Sequence, residues 1–134
     1  MTTHLFDTTF LIDYLGGDDG VRKYLEATEE EPLYTTSLNV KEVAVGHRLT
    51  DTFDRASFAT TFDWLEVVPF TTEHAVEASR FEAALHRDEN VTRRGVDAAA
   101  ADLLIAAVAS VEGATIVTRN GDDVERFDVP VADY

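Results

Sequence analysis

The chain contains no cysteine. That excludes disulfides, thiolate zinc sites, iron–sulfur clusters and cysteine nucleophiles, and it fits a reducing compartment. Proline occurs only at Pro32, Pro69 and Pro130, each beside a short apolar segment, so it punctuates strands and builds no linker. No repeat or low-complexity tract divides the 134 residues, and the length suits one domain spanning 1–134. No apolar run approaches the roughly 18 residues of a membrane span. The opening Met-Thr-Thr-His-Leu-Phe-Asp has neither a basic nor an apolar leader region. The expectation is a soluble, cytoplasmic protein with no membrane partner.

Cations are scarce as well. Lys23 and Lys41 are the only lysines, and 11 Lys plus Arg face 26 Asp plus Glu for a formal net charge of −15. The imbalance argues against a protein that grips nucleic acid through a broad basic face, although an enzyme touching a few phosphates remains compatible. Such self-repulsion suits a salt-rich cytoplasm, where a Debye length of roughly 3 Å at 1 M screens it, and most of the acids read as a solvated halophilic surface. Apolar residues make up 45% of the chain, enough to build a core and exclude disorder.

Strand and helix patterns alternate along the chain. Leu5-Phe6 reads as a strand ending at Asp7, and Phe10 to Leu15 as a short helix stopped by Gly16-Gly17. Asp18 or Asp19 caps a helix carrying Val21, Tyr24, Leu25 and Thr28. Pro32 to Thr36 is a second strand, and Ser37 is positioned to cap a helix running to Leu49. The stretch from Asp51 to Trp64 has a broad helical apolar face, and Glu66 to Pro69 is a third strand. Thr72 opens a long helix to about Arg87, Asp88 to Gly95 reads as a loop, and Asp97 to about Val111 as a largely buried helix ended by Gly113. Thr115 to Thr118 is a clear strand, followed by a helical turn near Val124 to Phe127 and an edge strand at Val129 to Val131. This alternation predicts a three-layer α/β/α domain with a parallel sheet of four or five strands. In such sheets the functional crevice lies beyond the carboxyl ends of the strands.

That rule singles out several carboxylates. Asp7 ends a central strand, where it either caps the next helix or points into the crevice. Glu42 lies one turn into its helix, as an exposed acid or a crevice ligand. Asp102 sits in an otherwise apolar helix, where an unpaired charge is costly, so it needs an arginine or a cation. Asn120, Asp122 and Asp123 follow the fourth strand, where turn residues are also common. Acids converging on one sheet edge repel one another unless a divalent cation holds them. An all-oxygen set without multiple histidines favours Mg²⁺ or Mn²⁺ over zinc, and such an ion suits phosphodiester hydrolysis. His4, His47, His74 and His86 lack ligand spacing.

Taken in order, Leu5-Phe6-Asp7-Thr8-Thr9-Phe10-Leu11-Ile12-Asp13-Tyr14-Leu15, Glu42 in Ser37 to Val43, Asp102-Leu103-Leu104-Ile105-Ala106-Ala107 and the strand exit Val117-Thr118-Arg119-Asn120 resemble a PIN-domain nuclease, and most closely the VapC-type toxin ribonucleases. The resemblance spans essentially the whole chain. It implies that Asp7, Glu42 and Asp102 are metal-binding catalytic carboxylates, with Asp123 preferred to Asp122 as a fourth. The departure lies here, because Val124 stands where the family usually has an aromatic residue. Thr8 and Asn120 are expected to shape the site. Arg119, Arg93, Arg94 and Lys41 are the local candidates for phosphate contact, Arg119 foremost. The resemblance further implies an Mg²⁺- or Mn²⁺-dependent endoribonuclease acting on RNA, a homodimer and a cognate antitoxin, with partner contacts through the first helices. Alternatives are an inactive PIN-like binding module and an RNA-processing PIN nuclease without an antitoxin. A haloacid-dehalogenase-like phosphatase is disfavoured, because the second acid its chemistry needs is Thr9.

Overall fold

Leu5 and Phe6 are neighbours on β1 (His4–Phe6), and their side chains leave opposite faces of the strand into two separate cores, as the period of a strand requires. Both are fully buried, which makes β1 the centre of the molecule. The computed structural model describes residues 2–134. Around β1 stand β2 (Leu33–Thr36), β3 (Glu66–Val68), β4 (Thr115–Val117) and β5 (Val131–Ala132), in the order β3-β2-β1-β4-β5 with every pairing parallel. The sheet thus has five strands, the upper of the two expected numbers.

Helices cover both faces. On the Phe6 side α1 (Thr8–Leu15), α2 (Asp19–Thr28), α3 (Ser37–Leu49) and α4 (Arg55–Thr61) enclose Phe10, Leu11, Val21, Val43, Phe62 and Val117. On the Leu5 side α5 (Thr72–Arg87), α6 (Arg93–Ala98), α7 (Ala100–Glu112) and α8 (Asp122–Glu125) enclose Phe81, Leu103, Ala106, Val108, Ile116 and Phe127. The result is the expected three-layer α/β/α arrangement. No helix among the described residues is long and apolar enough to cross a membrane.

Several boundaries differ from the sequence expectation. Thr36, and not Ser37, caps α3, because its hydroxyl at the end of β2 accepts the Asn39 N–H at 3.0 Å. The loop expected through Gly95 is shorter, since the Thr92 hydroxyl caps α6. The buried helix begins only at Ala100, Ala99 ending α6. The helical face expected from Asp51 contracts to α4, because Asp51 has φ 55° and Asp54 starts the helix by accepting the Ser57 N–H. Gly113 ends α7 as expected, with φ 65° in the left-handed region where glycine carries no Cβ penalty.

The strand order places a topological switch between β1 and β4. From β1 the chain steps outward to β2 and β3, then returns across the sheet to β4. The loops leaving β1 and β4 therefore part to opposite faces and leave a crevice at their carboxyl ends.

Candidate active site

Asp7 is the first residue beyond β1 and opens that crevice. Its side chain caps α1, with Oδ1 accepting the Phe10 N–H at 3.1 Å and the Thr9 hydroxyl at 2.6 Å. The two readings of Asp7 are therefore compatible: it caps a helix and also lines the cavity. Burial pushes its carboxyl above the usual range, against the pull of hydrogen bonds from Thr118, Thr9 and the Phe10 backbone.

The cavity beyond β1 and β4 encloses about 210 Å³, and its polar wall holds Asp7, Thr8, Thr9, Asn39, Glu42, Asp102, Thr118 and Asn120. Ile105, Ile116 and Val124 form its apolar floor and side. Glu42 reaches it from the second turn of α3, where its Oε2 accepts the Thr8 hydroxyl at 2.7 Å. Asp102 reaches it from the first turn of α7, where the helix dipole favours an acid. Its carboxyl is nevertheless raised, first by burial and then by the charges of Asp123, Glu42 and Asp7, with Arg126 opposing them. Four acids thus bear on one another across this edge of the sheet.

Asp123 does not line the main cavity. It stands with Asp102, Gly95, Ala98, Ala99 and Arg126 around an adjoining recess of about 220 Å³, so Asp102 is shared between the two. Asp122 is exposed and lines neither. Val124, the departure from the expected aromatic, is buried and packs against the α7 side of the core.

Arg119 is placed differently from the expected phosphate contact. Its guanidinium turns away from the cavity to Asp13 and Asp18, at 3.0 and 2.9 Å, and only its backbone N–H reaches toward the site, at 3.3 Å from Thr9 Oγ1. Two acidic partners already satisfy that charge. Arg126, passed over in the sequence, has no ion pair among the described residues and faces Asp102 and Asp123. Asn39 and Thr118, also passed over, are buried polar residues on the cavity wall. Asn39 carried a usable signal, lying three residues before Glu42 and hence on the same helix face.

As the side chains stand, no three His, Asp or Glu among the described residues are close enough together to hold an ion. The chemistry of the wall still suits one. Its donors are all oxygen, from residues on four elements, and Asp102 is destabilised by like charges that a divalent cation would neutralise.

A model of the PIN domain matches residues 5–130. The chain belongs to the PIN-domain family. This PIN domain is similar in fold to three solved complexes. The DNA-bound VapBC of Salmonella typhimurium matches with a TM-score of 0.81 and 20% identity over 99% of this chain and 98% of that one. VapBC2 of Rickettsia felis, bound to a DNA fragment from its promoter, gives 0.76 and 18% over 99% of each chain. FitAcB of Neisseria gonorrhoeae gives 0.72 and 22% over 96% of each. No curated protein sequence matches the chain.

Proposed function

We propose that this PIN domain is an Mg²⁺- or Mn²⁺-dependent endoribonuclease and the toxin of a VapBC-type pair. The observation that carries the reading is the gathering of Asp7, Glu42 and Asp102 on one cavity wall at the switch between β1 and β4, with Asp123 bearing on Asp102 from the adjoining recess. A carboxylate raised by burial and then by its acidic neighbours, as Asp102 is, costs stability in the metal-free fold, and a metal-binding task accounts for that cost. Membership of a family of nucleases supports the same reading.

Asp7, Glu42 and Asp102 would hold the ion, with Asp123 as the fourth acid. A bound divalent cation supplies a water of lowered pKa and offsets charge building on the phosphate. The chain's own groups prepare for it. Thr9 and the Phe10 N–H hold Asp7, and Thr8 holds Glu42, so both carboxylates are oriented before any ligand arrives. Asn120 stands on the cavity wall within reach of a ligand there. Arg126 is the cation best placed for a flanking phosphate, and exposed Arg93 and Arg94 open the helix whose Gly95 lines the same recess. A few such contacts suffice for an enzyme that must also release its product.

An antitoxin partner is supported by the structural neighbours, which are toxin–antitoxin complexes. The first helices offer it a groove of about 590 Å³ with Tyr14, Val21, Leu25, Leu33 and Trp64 as apolar lining and Asp18, Glu26 and Glu29 at its rim. The homodimer and the cytoplasmic location belong to the same proposal. The test is cleavage of a mixed RNA pool in molar KCl with Mn²⁺ or Mg²⁺, beside an EDTA control and Asp102→Asn. Cleavage that needs the metal and is lost in the variant is the expected result. Intact RNA together with no Mn²⁺ binding would leave an inactive PIN-like binding module. Activity in a chain that binds no antitoxin would leave an RNA-processing nuclease.

A further inference from the structure

We propose that Arg119 is a positioning residue that fixes the Asp7 carboxylate, held in a socket made by Asp13, Asp18 and Tyr134; this rests on the nuclease reading above. Arg119 grips α1 at two points one turn apart. Its Nε lies 3.0 Å from Asp13 Oδ2, and its backbone N–H donates to Thr9 Oγ1 at 3.3 Å. Thr9 and Asp13 stand at i and i+4 and so share a helix face. The other arm of the fork donates to Asp18 Oδ1 at 2.9 Å, and Asp18 in turn caps α2 by accepting the Val21 N–H at 3.1 Å. One side chain thereby ties the exit of β4 to the last turn of α1 and to the cap of α2, while its backbone N–H holds the start of α1.

Tyr134 completes the socket. The Arg119 guanidinium lies 4.9 Å from the centre of its ring, and its hydroxyl donates to Asp13 Oδ2 at 2.6 Å. The same ring meets Phe10 edge to face, with centroids 4.8 Å apart and planes at 76°. These contacts converge on a single atom. Asp7 Oδ1 has two donors, the Thr9 hydroxyl and the Phe10 N–H. Arg119 backs the first, because its N–H takes a lone pair of Thr9 Oγ1 and leaves the hydroxyl hydrogen for Asp7. Tyr134 backs the second by packing on Phe10.

A guanidinium with two carboxylates and an aromatic face already satisfied has little left for RNA, and a planar fork is the group that can serve two acids at once. Lysine keeps the charge and loses the fork. Arg119→Lys therefore separates positioning from phosphate contact. Measured by calorimetry with MnCl₂ in molar KCl, positioning predicts a loss of Mn²⁺ affinity of roughly 10-fold or more, the usual effect of removing a group that orients a ligand. The salt dependence of binding to a single-stranded RNA pool, measured with Ca²⁺ in place of Mn²⁺, should not change. Unchanged Mn²⁺ affinity in a folded Arg119→Lys chain overturns the proposal. So does a loss of RNA affinity in Arg119→Gln that Arg119→Lys restores, with the salt slope of the Gln variant lower by about 0.7, the value of one single-strand phosphate contact.

Tyr134→Phe is the second variant. It keeps the ring on Phe10 and Arg119 and removes one hydrogen bond to Asp13. A several-fold loss of Mn²⁺ affinity with an unchanged melting temperature is expected. Parental Mn²⁺ affinity in Tyr134→Phe overturns the proposal if Arg119→Lys fails to fold. A parent chain that binds no Mn²⁺ removes the nuclease reading itself, and with it the positioning role, whereas a parent that binds and variants that bind equally well remove the positioning role alone.

Discussion

Thr8 donates its hydroxyl to Glu42 Oε2 across 2.7 Å, joining the first turn of α1 to the second turn of α3. The bond ends a directed series. The Thr36 hydroxyl donates to Asn39 Oδ1 at 2.7 Å, and Asn39 Nδ2 donates to a lone pair of Thr8 Oγ1 at 3.0 Å, which leaves the single Thr8 hydroxyl hydrogen for Glu42. Asn39 is 2% exposed and cannot exchange these partners for water. Glu42 is thus aimed by residues that follow two different strands.

Thr8→Val keeps the shape of the side chain and removes the hydroxyl, leaving the Asn39 amide without its acceptor. An unsatisfied buried donor costs about 1–3 kcal/mol, and the released Glu42 should bind metal less tightly by roughly 10-fold. Thr8→Ser should restore both. Thermal melts and Mn²⁺ calorimetry on the pair check this, and equal behaviour of Val and Ser variants would show that the hydroxyl aims nothing.

Asp102→Asn should stabilise the metal-free chain while abolishing Mn²⁺ binding. The Asp102 carboxyl is raised by burial and by Asp123, Glu42 and Asp7. A raised acid favours the fold only while protonated, so that stability is present below the unfolded-state pKa and is lost as pH rises through the folded one. At neutral pH the ionised group is a net cost, and a neutral amide removes it. Each 1 kcal/mol recovered raises the melting temperature by about 4 °C for a domain of this size. Melts in EDTA read the gain, and a lower melting temperature would show that Asp102 is held by contacts the fold needs.

Melting temperature should also climb by several degrees between about 0.1 M and 2 M KCl, as the Debye length falls from roughly 10 Å to under 3 Å. The chain carries a net charge of −15, and self-repulsion at that charge opposes the compact state. A flat profile in KCl would remove the halophilic reading of the surface.

What the sequence discloses follows from how local each signal is. Asp7 was legible because a short apolar strand ending in an acid is a local pattern, and Gly113 because a glycine after a helical run marks a stop. The break at Ala99 was not, since Ala98 to Ala101 offers neither a cap nor a breaker and the chain turns there only through packing. Arg119 shows the sharper limit. A cation after a strand looks free for phosphate, but its partners Asp13 and Asp18 lie about a hundred residues away in the chain and meet it only in the fold. Arg126 was hidden for the converse reason. Nothing near it in sequence marks it as unpaired, and its place beside Asp102 comes from α8 packing under α7.

Glu77 provides a test of the fold away from the cavity. It joins α5 to α7, accepting from Arg80 Nε at 2.8 Å and Nη2 at 3.1 Å and from the hydroxyl of Ser110. Arg80 and then Ser110 draw its carboxyl down to about 2. Arg80 is 66% exposed, so solvent screens that pair and its share of stability is small, whereas the bond to Ser110 lies between packed helices and is the more valuable of the two. A depressed acid stabilises the fold above its unfolded pKa and ceases to do so as pH falls through the folded one, here from the ordinary 4.5 toward about 2. Glu77→Gln should therefore unfold more readily than the parent at neutral pH, with the difference closing across that window, and Ser110→Ala should reproduce most of the effect. Arg80→Ala should reproduce little of it. Acid titrations of thermal stability on the three variants compare them directly, and an Arg80→Ala loss larger than that of Ser110→Ala would show that the exposed pair, and not the interhelical bond, carries the contribution.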